Sequence, residues 1–399
     1  MNMNKKLIIP IGLCSVIVVA VIMTCIGPKN KITIDWEKVA VPTLKNDSIE
    51  LKVYVENSGS MNAYMCPGSN LKDAVFDYVS ELKKLTSSTS LYYINSKVIP
   101  YKGDLNSYIK DLTPAAFAKA GGSHSNTDLM KIFSDILDSQ DDNTVSILVS
   151  DCILDIPESA TNYFGQCQVS IKNTFNEALE KTPNLGVMII QLESKFEGFW
   201  FCGKNSKKLS DVKRPYYIWV IGNQQYLAAI NKKVNVNDII GGIKNYSAYA
   251  SSQPIPFTFE KSKSTFKVNH TKKIKVELVT DLSASLQNGL VTKNLGNYKV
   301  SNPSQMTILS VQDIDDPNSS YSHVIEFEVT NPETLREENI SFAYPYLATW
   351  VEAANDSTGT NIDNNINKTT GILSLVKGVA EAYKDHTNYG TISFKLKNK

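Results

Sequence analysis

Apolar side chains recur at two different spacings in the first half of the chain, and these spacings predict helices and strands in alternation. In Leu71–Leu85 they fall three and four residues apart, as in a helix with one buried face. Ile49–Val55 has the composition of a strand, and Val145–Val149 and Leu185–Leu192 are continuous apolar runs, as expected for strands covered on both faces. The alternation predicts an α/β fold with a doubly wound, mainly parallel sheet and helices on both faces.

The other segments of this half fit the same scheme, and together they predict one α/β domain over residues 46–248. Further strands are predicted at Ser90–Tyr101 and Tyr216–Ile221. Further helices are predicted at Leu105–Leu112, Leu129–Leu137, Gln168–Lys181, Gln224–Asn231 and Val236–Lys244. Thr113–Asn126 is predicted as a loop and Phe196–Leu209 as an irregular excursion.

The pattern changes near residue 250 to short strands separated by turns. This pattern predicts a sandwich-like, all-β module over residues 251–399. Its candidate strands are Ile255–Phe259, Ser264–Val268, Lys273–Val279, Met306–Val311, His323–Val329, Ser341–Leu347 and Thr391–Leu396. Within it, Ile372–Lys384 has helical spacing, and Asn355–Thr370 is rich in Asn, Thr and Asp and is predicted to be a mobile loop.

The N-terminus predicts contact with a membrane. Lys5 and Lys6 precede Leu7–Ile26, which is apolar and carries no charge. Its length is close to the roughly 20 residues that a helix needs to span a bilayer. Lysines on this side favour a cytoplasmic N-terminus and an exported body. We therefore expect residues 1–30 to be an uncleaved anchor, with the body outside the cytoplasm in a bacterial cell envelope. A cleavable signal peptide, or a lipoprotein processed at Cys25, is the alternative.

Composition narrows the classes of function only slightly. With 399 residues, 42% hydrophobic and 20% charged, the chain is an ordinary globular protein of two or three domains. The formal net charge is +1, and no run rich in Lys and Arg is interleaved with aromatic residues. Nucleic acid is therefore not an expected partner.

Four cysteines lie in the part predicted to be exported: Cys66, Cys152, Cys167 and Cys202. An even number in an oxidising compartment favours disulfides, so we expect at least one pair to be oxidised. Free buried thiols are the alternative. A zinc site that combines them with His124 is disfavoured, because no C-x-x-C spacing occurs.

Oxygen-bearing side chains follow the predicted strands. Glu56, Ser58 and Ser60 come after the first strand, Thr127 opens a helix, and Asp151 ends the strand Val145–Val149. Ligand sites of open α/β sheets form at the carboxyl ends of strands. Because only oxygen donors are offered, a hard cation such as magnesium is the expected ligand.

In chain order these residues read E-x-S-x-S, T, D, which resembles the metal-ion-dependent adhesion site (MIDAS) of the von Willebrand factor type A (vWA) family, D-x-S-x-S, T, D. The similarity extends from Ser48 to Gly222, and it implies a Rossmann-like sheet. It also implies that hydroxyls and carboxylates of the five residues bind Mg²⁺, or else Mn²⁺ or Ca²⁺, with an open position for a partner's carboxylate. The departure is Glu56, where the family has aspartate. One extra methylene could make a water-bridged contact direct or weaken the site.

Several nearby residues are candidates for the rim of this site. They are His124, Asp128 and Asp155, with solvated loop residues as the alternative reading. The aromatic run Phe199–Phe201 is either an exposed recognition patch or part of the core.

These observations predict a non-enzymatic, membrane-anchored binding protein with a metal-dependent site for a protein or glycan ligand. A metal-dependent hydrolase and a structural scaffold whose site is degenerate through Glu56 are the alternatives. The hydrolase is disfavoured because the chain has no H-E-x-x-H motif. Its four histidines also accompany no G-x-S-x-G nucleophile motif.

Overall fold

The fold is taken from a computed structural model, which describes residues 31–42, 49–124, 127–157, 162–260, 263–268, 272–316, 318–384 and 388–398. The predicted membrane segment Leu7–Ile26 lies outside these residues. Within them, no helix is both long and apolar enough to cross a bilayer.

The first half alternates strands and helices, as the sequence predicts. In chain order its elements are β1 (Lys31–Asp35), β2 (Glu50–Glu56), α1 (Leu71–Lys83), β3 (Ser88–Ile94), β4 (Val98–Pro100), α2 (Leu105–Lys110), α3 (Pro114–Ala120), α4 (Leu129–Asp138), β5 (Thr144–Ser150), α5 (Tyr163–Lys181), β6 (Leu185–Cys202), β7 (Asn205–Asn223), α6 (Gln224–Lys233) and β8 (Asn245–Ala250). Helix α3 falls where a loop was expected. The helix expected at Val236–Lys244 is reduced to the 3₁₀ turn Val236–Asp238.

The central sheet has seven strands in the order β4-β3-β2-β5-β7-β6-β8. Strand β2 is parallel to β3 and β5, whereas the other neighbouring strands are antiparallel. The prediction of a doubly wound, mainly parallel sheet is therefore wrong, because β6 and β7 form one long hairpin that turns at Gly203 and Lys204 instead of crossing over through a helix. The apolar run Leu185–Leu192 indicates burial on both faces, which a central antiparallel strand has as well.

The second half contains antiparallel sheets together with helices. Its elements are β9 (Phe257–Thr258), β10 (Thr265–Lys267), β11 (Lys273–Thr280), α7 (Gly289–Thr292), β12 (Tyr298–Val300), β13 (Met306–Asp313), β14 (His323–Thr330), β15 (Glu337–Ala343), α8 (Thr349–Ala353), β16 (Asn355–Asp356), β17 (Thr369–Thr370), α9 (Ile372–Ala382) and β18 (Asn388–Asn398). One sheet runs β10-β1-β18-β15-β12 and the other β13-β14-β11-β9. The N-terminal strand β1 thus belongs to the second half, and the expected all-β module also includes helices.

Aromatic side chains fill the space between these two sheets. Phe327 on β14 and Phe394 on β18 have ring centroids 5.4 Å apart, and Phe259 lies 5.3 Å from Phe394. All three are buried. Contacts of this kind give the sheets a common core, as in a sandwich.

The segment Asn355–Thr370, predicted to be a mobile loop, is structured and lies against the first half. Its strands β16 and β17 pair in parallel. Arg214 of β7 donates hydrogen bonds to the carbonyl oxygens of Ile366 and Lys368, at 3.0 and 3.3 Å. In addition, the buried apolar residues of both halves form one continuous cluster across the predicted boundary near residue 250.

The four described cysteines are free thiols, so the predicted disulfide is wrong. Cys152, Cys167 and Cys202 are buried, and Cys66 is half-buried. Burial raises the pKa of the Cys202 thiol to about 11. Thiols of this kind remain protonated at neutral pH and react slowly.

Candidate functional site

The turn that follows β2 holds three of the predicted ligands in a buried position. Glu56 ends the strand, and the hydroxyl oxygens of Ser58 and Ser60 lie 3.2 Å apart. Ser60 precedes the 3₁₀ helix Met61–Met65, yet its side chain does not cap that helix. Helix capping therefore does not account for the second serine, whose hydroxyl is directed to the Ser58 hydroxyl and not to the helix.

The end of β5 supplies the fourth predicted ligand. Ser150 donates a hydrogen bond to Glu56 and accepts one of 2.8 Å from the backbone of Cys152. Asp151 Oδ1 accepts from the backbone N–H of Ile153 at 3.4 Å, while its buried Oδ2 has no partner among the described residues. Cys152 has a φ of 55°, a strained conformation of the kind that clusters at functional sites.

Thr127 completes the set from the segment before α4. Its Oγ1 is buried and, within the described ranges, accepts and donates no hydrogen bond. The next residue, Asp128, caps α4 by accepting from the backbone N–H of Lys131 at 3.1 Å. Asp128 is thus a helix cap on the exposed side, and it does not line the pocket described next.

A pocket of about 300 Å³ brings the five predicted ligands together. It is lined by Glu56, Ser58, Gly59, Ser60, His124, Thr127, Asp151, Ile153, Asp155, Phe201 and Gly203. Two of the three predicted rim residues, His124 and Asp155, also contribute. The strand ends therefore converge at one site, although the sheet that carries them is mixed.

Burial and the charge of Asp151 disfavour ionisation of the Glu56 carboxyl. Burial, and next the charge of Asp151, raise the pKa of the Glu56 carboxyl well above its usual range. The hydroxyls of Ser150, Ser58 and Thr127 are close enough to oppose that shift. Burial also raises the pKa of Asp151, against the opposing effects of the Ser60 hydroxyl and the Arg214 charge. The site is electrically unbalanced when both groups are ionised.

Two asparagines that the sequence did not single out, together with the rim candidate His124, position this site. Asn95 Nδ2 donates to Asn57 Oδ1 at 3.0 Å and to the carbonyl oxygen of Gly121 at 2.9 Å. His124 Nδ1 donates to the Asn57 carbonyl at 2.8 Å, and the His124 carbonyl accepts from the Gly59 N–H at 2.9 Å. These bonds tie the serine turn to the threonine segment. The sequence offers only the general preference of asparagine for turns, which does not show that Asn57 and Asn95 position a site.

The tip of the β6–β7 hairpin forms one wall of the pocket. The Gly203 N–H donates to Asp155 Oδ1 at 3.1 Å, which fixes the tip to the segment after β5. Phe201 lies over the serine turn, since a Cβ added to Gly59 would be 3.4 Å from its ring. The opening of the pocket is therefore bordered by an aromatic ring.

The expectation of a metal-binding protein with a membrane helix finds no support in the part of the chain that the structure describes. The part of the chain that the structure describes contains no group of three or more His, Cys, Asp and Glu side chains that could hold a metal ion. It also contains no membrane-spanning helix. The five predicted ligands do not form such a group, because they comprise two carboxylates and three hydroxyls.

Hydroxyl and carboxylate oxygens are hard donors, and two of those at the pocket, Thr127 Oγ1 and Asp151 Oδ2, have no described partner. This composition fits a small divalent cation. The resemblance to the vWA family, which rests on the order of the five residues, stays a prediction. No protein-family model matches the chain, and no curated protein matches it.

Proposed function

We propose that the pocket binds a divalent cation, magnesium above all, and presents it to an anionic group of a partner. The proposal rests on one observation: two buried carboxyl groups, Glu56 and Asp151, share a pocket with the unpartnered Thr127 Oγ1. Buried polar atoms are normally hydrogen-bonded, and buried charges are normally paired. A cation between these oxygens would satisfy both requirements.

Nearby basic residues do not fill this role. Among the described residues, neither Glu56 nor Asp151 forms a salt bridge. Arg214 lowers the pKa of Asp151, but its two terminal nitrogens bond to backbone carbonyls of the segment Asn355–Thr370. Arg214 thus offsets part of the charge of Asp151, whereas the groups that lower the pKa of Glu56 are neutral hydroxyls. A cation from outside the chain would supply the remaining countercharge.

The donor set also indicates what the bound cation would do. Three of the five side chains are neutral hydroxyls, so the charge of a divalent ion is only partly offset within the pocket. Magnesium keeps positions for water or an incoming anion when proteins bind it through few carboxylates. A carboxylate of a protein or glycan partner is the ligand class that fits this remaining position.

A threonine-to-valine pair of variants tests the site. Thr127→Val keeps the side-chain shape and removes the unpartnered hydroxyl, so it should lower magnesium affinity by about tenfold, the loss of one good ligand contact of about 1.4 kcal/mol. Thr89→Val is the matched control, because Thr89 Oγ1 on β3 is also buried without a described partner but does not line the pocket. Isothermal titration with magnesium should separate the two variants, and both should fold.

Asp151→Asn gives the complementary measurement. It removes the charge and keeps an oxygen that accepts from Ile153 N, so magnesium binding should be lost while melting without magnesium is unchanged or higher. Equal magnesium affinity in the parent protein and Asp151→Asn would show that no cation site operates in this pocket.

A further inference from the structure

The tip of the β6–β7 hairpin presents a pair of aromatic rings to solvent. Strand alternation places Trp200 and Cys202 on the buried face and Phe199 and Phe201 on the outer face, where the two phenylalanines are 51% and 40% exposed. Their rings stack with centroids 5.9 Å apart and an interplanar angle of 23°. A paired apolar surface of this kind is a candidate contact surface when it adjoins a binding site.

The aromatic pair adjoins the proposed cation site directly. Phe201 is both an exposed residue of the hairpin and a lining residue of the pocket. Its ring lies against the backbone of Gly59, between the two serines. A partner group bound in the pocket would therefore lie close to this ring.

The hairpin tip is held in place from below. A Cβ at Gly198 would lie 2.8 Å from the Cβ of Ala63, so the strand rests closely on the 3₁₀ helix after the serine turn. Asn205 Nδ2 donates to the carbonyl oxygen of Gly359 at 3.0 Å, and Gly203 is bonded to Asp155. The aromatic pair is thus preorganised, which reduces the entropy that binding would cost.

A lysine borders the pair on the same face. Phe199 lies opposite Lys208 across the hairpin, and directly opposed residues of antiparallel strands share a face. Lys208 is exposed, and among the described residues its ammonium group makes no ion pair. The surface around the pocket therefore combines an apolar platform with a positive charge, which favours an acidic partner.

We propose that the partner of the cation site is an acidic peptide segment in which an apolar or aromatic residue adjoins the aspartate or glutamate. The acid would occupy the pocket, and its neighbour would pack on Phe199 and Phe201. This inference rests on the proposed function. A peptide is favoured because aromatic side chains are the common anchors of protein–protein contacts.

Short probes test the inference. N-acetyl-Phe-Asp-amide, N-acetyl-Gly-Asp-amide, N-acetyl-Phe-Asn-amide and glucuronate are titrated in magnesium, with binding followed by broadening of the proton resonances of each probe. The Phe-Asp probe should bind about three- to tenfold more tightly than the Gly-Asp probe, the gain expected from one aromatic contact. The Phe-Asn probe should not bind, and removal of magnesium should abolish binding of the Phe-Asp probe.

The variant Phe199→Ala should weaken the preference for Phe-Asp over Gly-Asp and leave the magnesium affinity unchanged, because Phe199 does not line the pocket. Phe76→Ala is the matched control, since Phe76 on α1 is 38% exposed and does not line the pocket. Melting curves check that both variants fold.

The possible failures are distinguishable. Absence of magnesium binding overturns the proposed function itself. Magnesium binding with equal affinity for Phe-Asp and Gly-Asp overturns the peptide inference and leaves the cation site standing. Tighter binding of glucuronate than of Phe-Asp, lost in Phe199→Ala, would also overturn it in favour of an acidic sugar.

Discussion

At the scale of single residues, Glu56 and Asp151 link stability to pH. The pKa of each carboxyl is raised in the folded protein, for Glu56 from an ordinary value of 4.5, so folding favours the protonated forms. A group of this kind contributes stability that is fully present below its unfolded-state pKa and is lost as pH rises through its folded-state pKa. Without magnesium, stability should therefore fall as pH rises above about 4.5.

Urea unfolding between pH 5 and pH 8, with and without magnesium, measures this effect. Glu56→Gln should flatten the decline because the side chain no longer titrates. Magnesium should stabilise the parent protein more at pH 8 than at pH 5, since protons compete with it for the same oxygens. A decline of the same slope in Glu56→Gln would assign the pH dependence to other groups.

The predictable part of the site is the part that depends on side-chain type. Glutamate, serine, threonine and aspartate at strand ends indicate a polar site without any knowledge of the fold, and the five predicted ligands line one pocket. Ser150 and Asn95 were not predictable in the same way. They act through hydrogen bonds to Glu56 and Asn57 on another strand, and such bonds depend on strand pairing.

At the scale of elements, the long hairpin explains why the helices were easier to predict than the topology. Helical spacing is local, and α1, α4 and α9 occur where it predicts them. Strand direction is not local: a central strand gives the same apolar run in a parallel and in an antiparallel sheet. The sequence signal for the hairpin was the glycine at position 203. Glycine readily adopts the positive φ, here 57°, that a two-residue hairpin turn requires.

Helices α5 and α9 provide a prediction at this scale, because they pack without a side chain at Gly378. A Cβ there would lie 2.7 Å from the carbonyl oxygen of Gln168 and 2.9 Å from Ile171 Cβ. Glycine to alanine within a helix normally stabilises by about 1 kcal/mol. Overpacking against backbone costs about 1–3 kcal/mol, so Gly378→Ala should be destabilising on balance.

Gly165→Ala in α5 is the matched control for this contact. The three atoms nearest to its Cβ would all belong to the side chain of the exposed Asn162, which can rotate away. Urea unfolding should show a lower midpoint for Gly378→Ala and an unchanged or higher midpoint for Gly165→Ala. A gain in stability for both variants would mean that the α5–α9 contact is looser than described.

At the scale of the whole molecule, the two halves are joined by contacts that no local pattern indicates. Strand β1 pairs with β18 almost a full chain length away. Gln168 Nε2 of α5 donates to Glu381 Oε1 of α9 at 2.8 Å, and Tyr383 donates to the carbonyl oxygen of Leu185 at 3.0 Å. The composition shift near residue 250 predicts a change of architecture, but it carries no information on whether each half buries its own core.

These contacts predict that residues 46–248 do not fold alone. Without α9 the fragment exposes Ile171 and Phe175 of α5, which are buried in the full chain, and Arg214 loses both carbonyl partners in the second half. Each large apolar side chain that loses its burial costs roughly 1.5–3 kcal/mol. Exposure of several of them therefore removes a large share of the roughly 5–15 kcal/mol by which domains are stable. The fragment should therefore aggregate or melt without a cooperative transition in scanning calorimetry. Co-expression of residues 31–248, which include β1, with residues 249–399 should restore a soluble complex that binds magnesium. A fragment that melts cooperatively and binds magnesium as the full chain does would mean that the site rests on an independent domain, with the second half as an appendage.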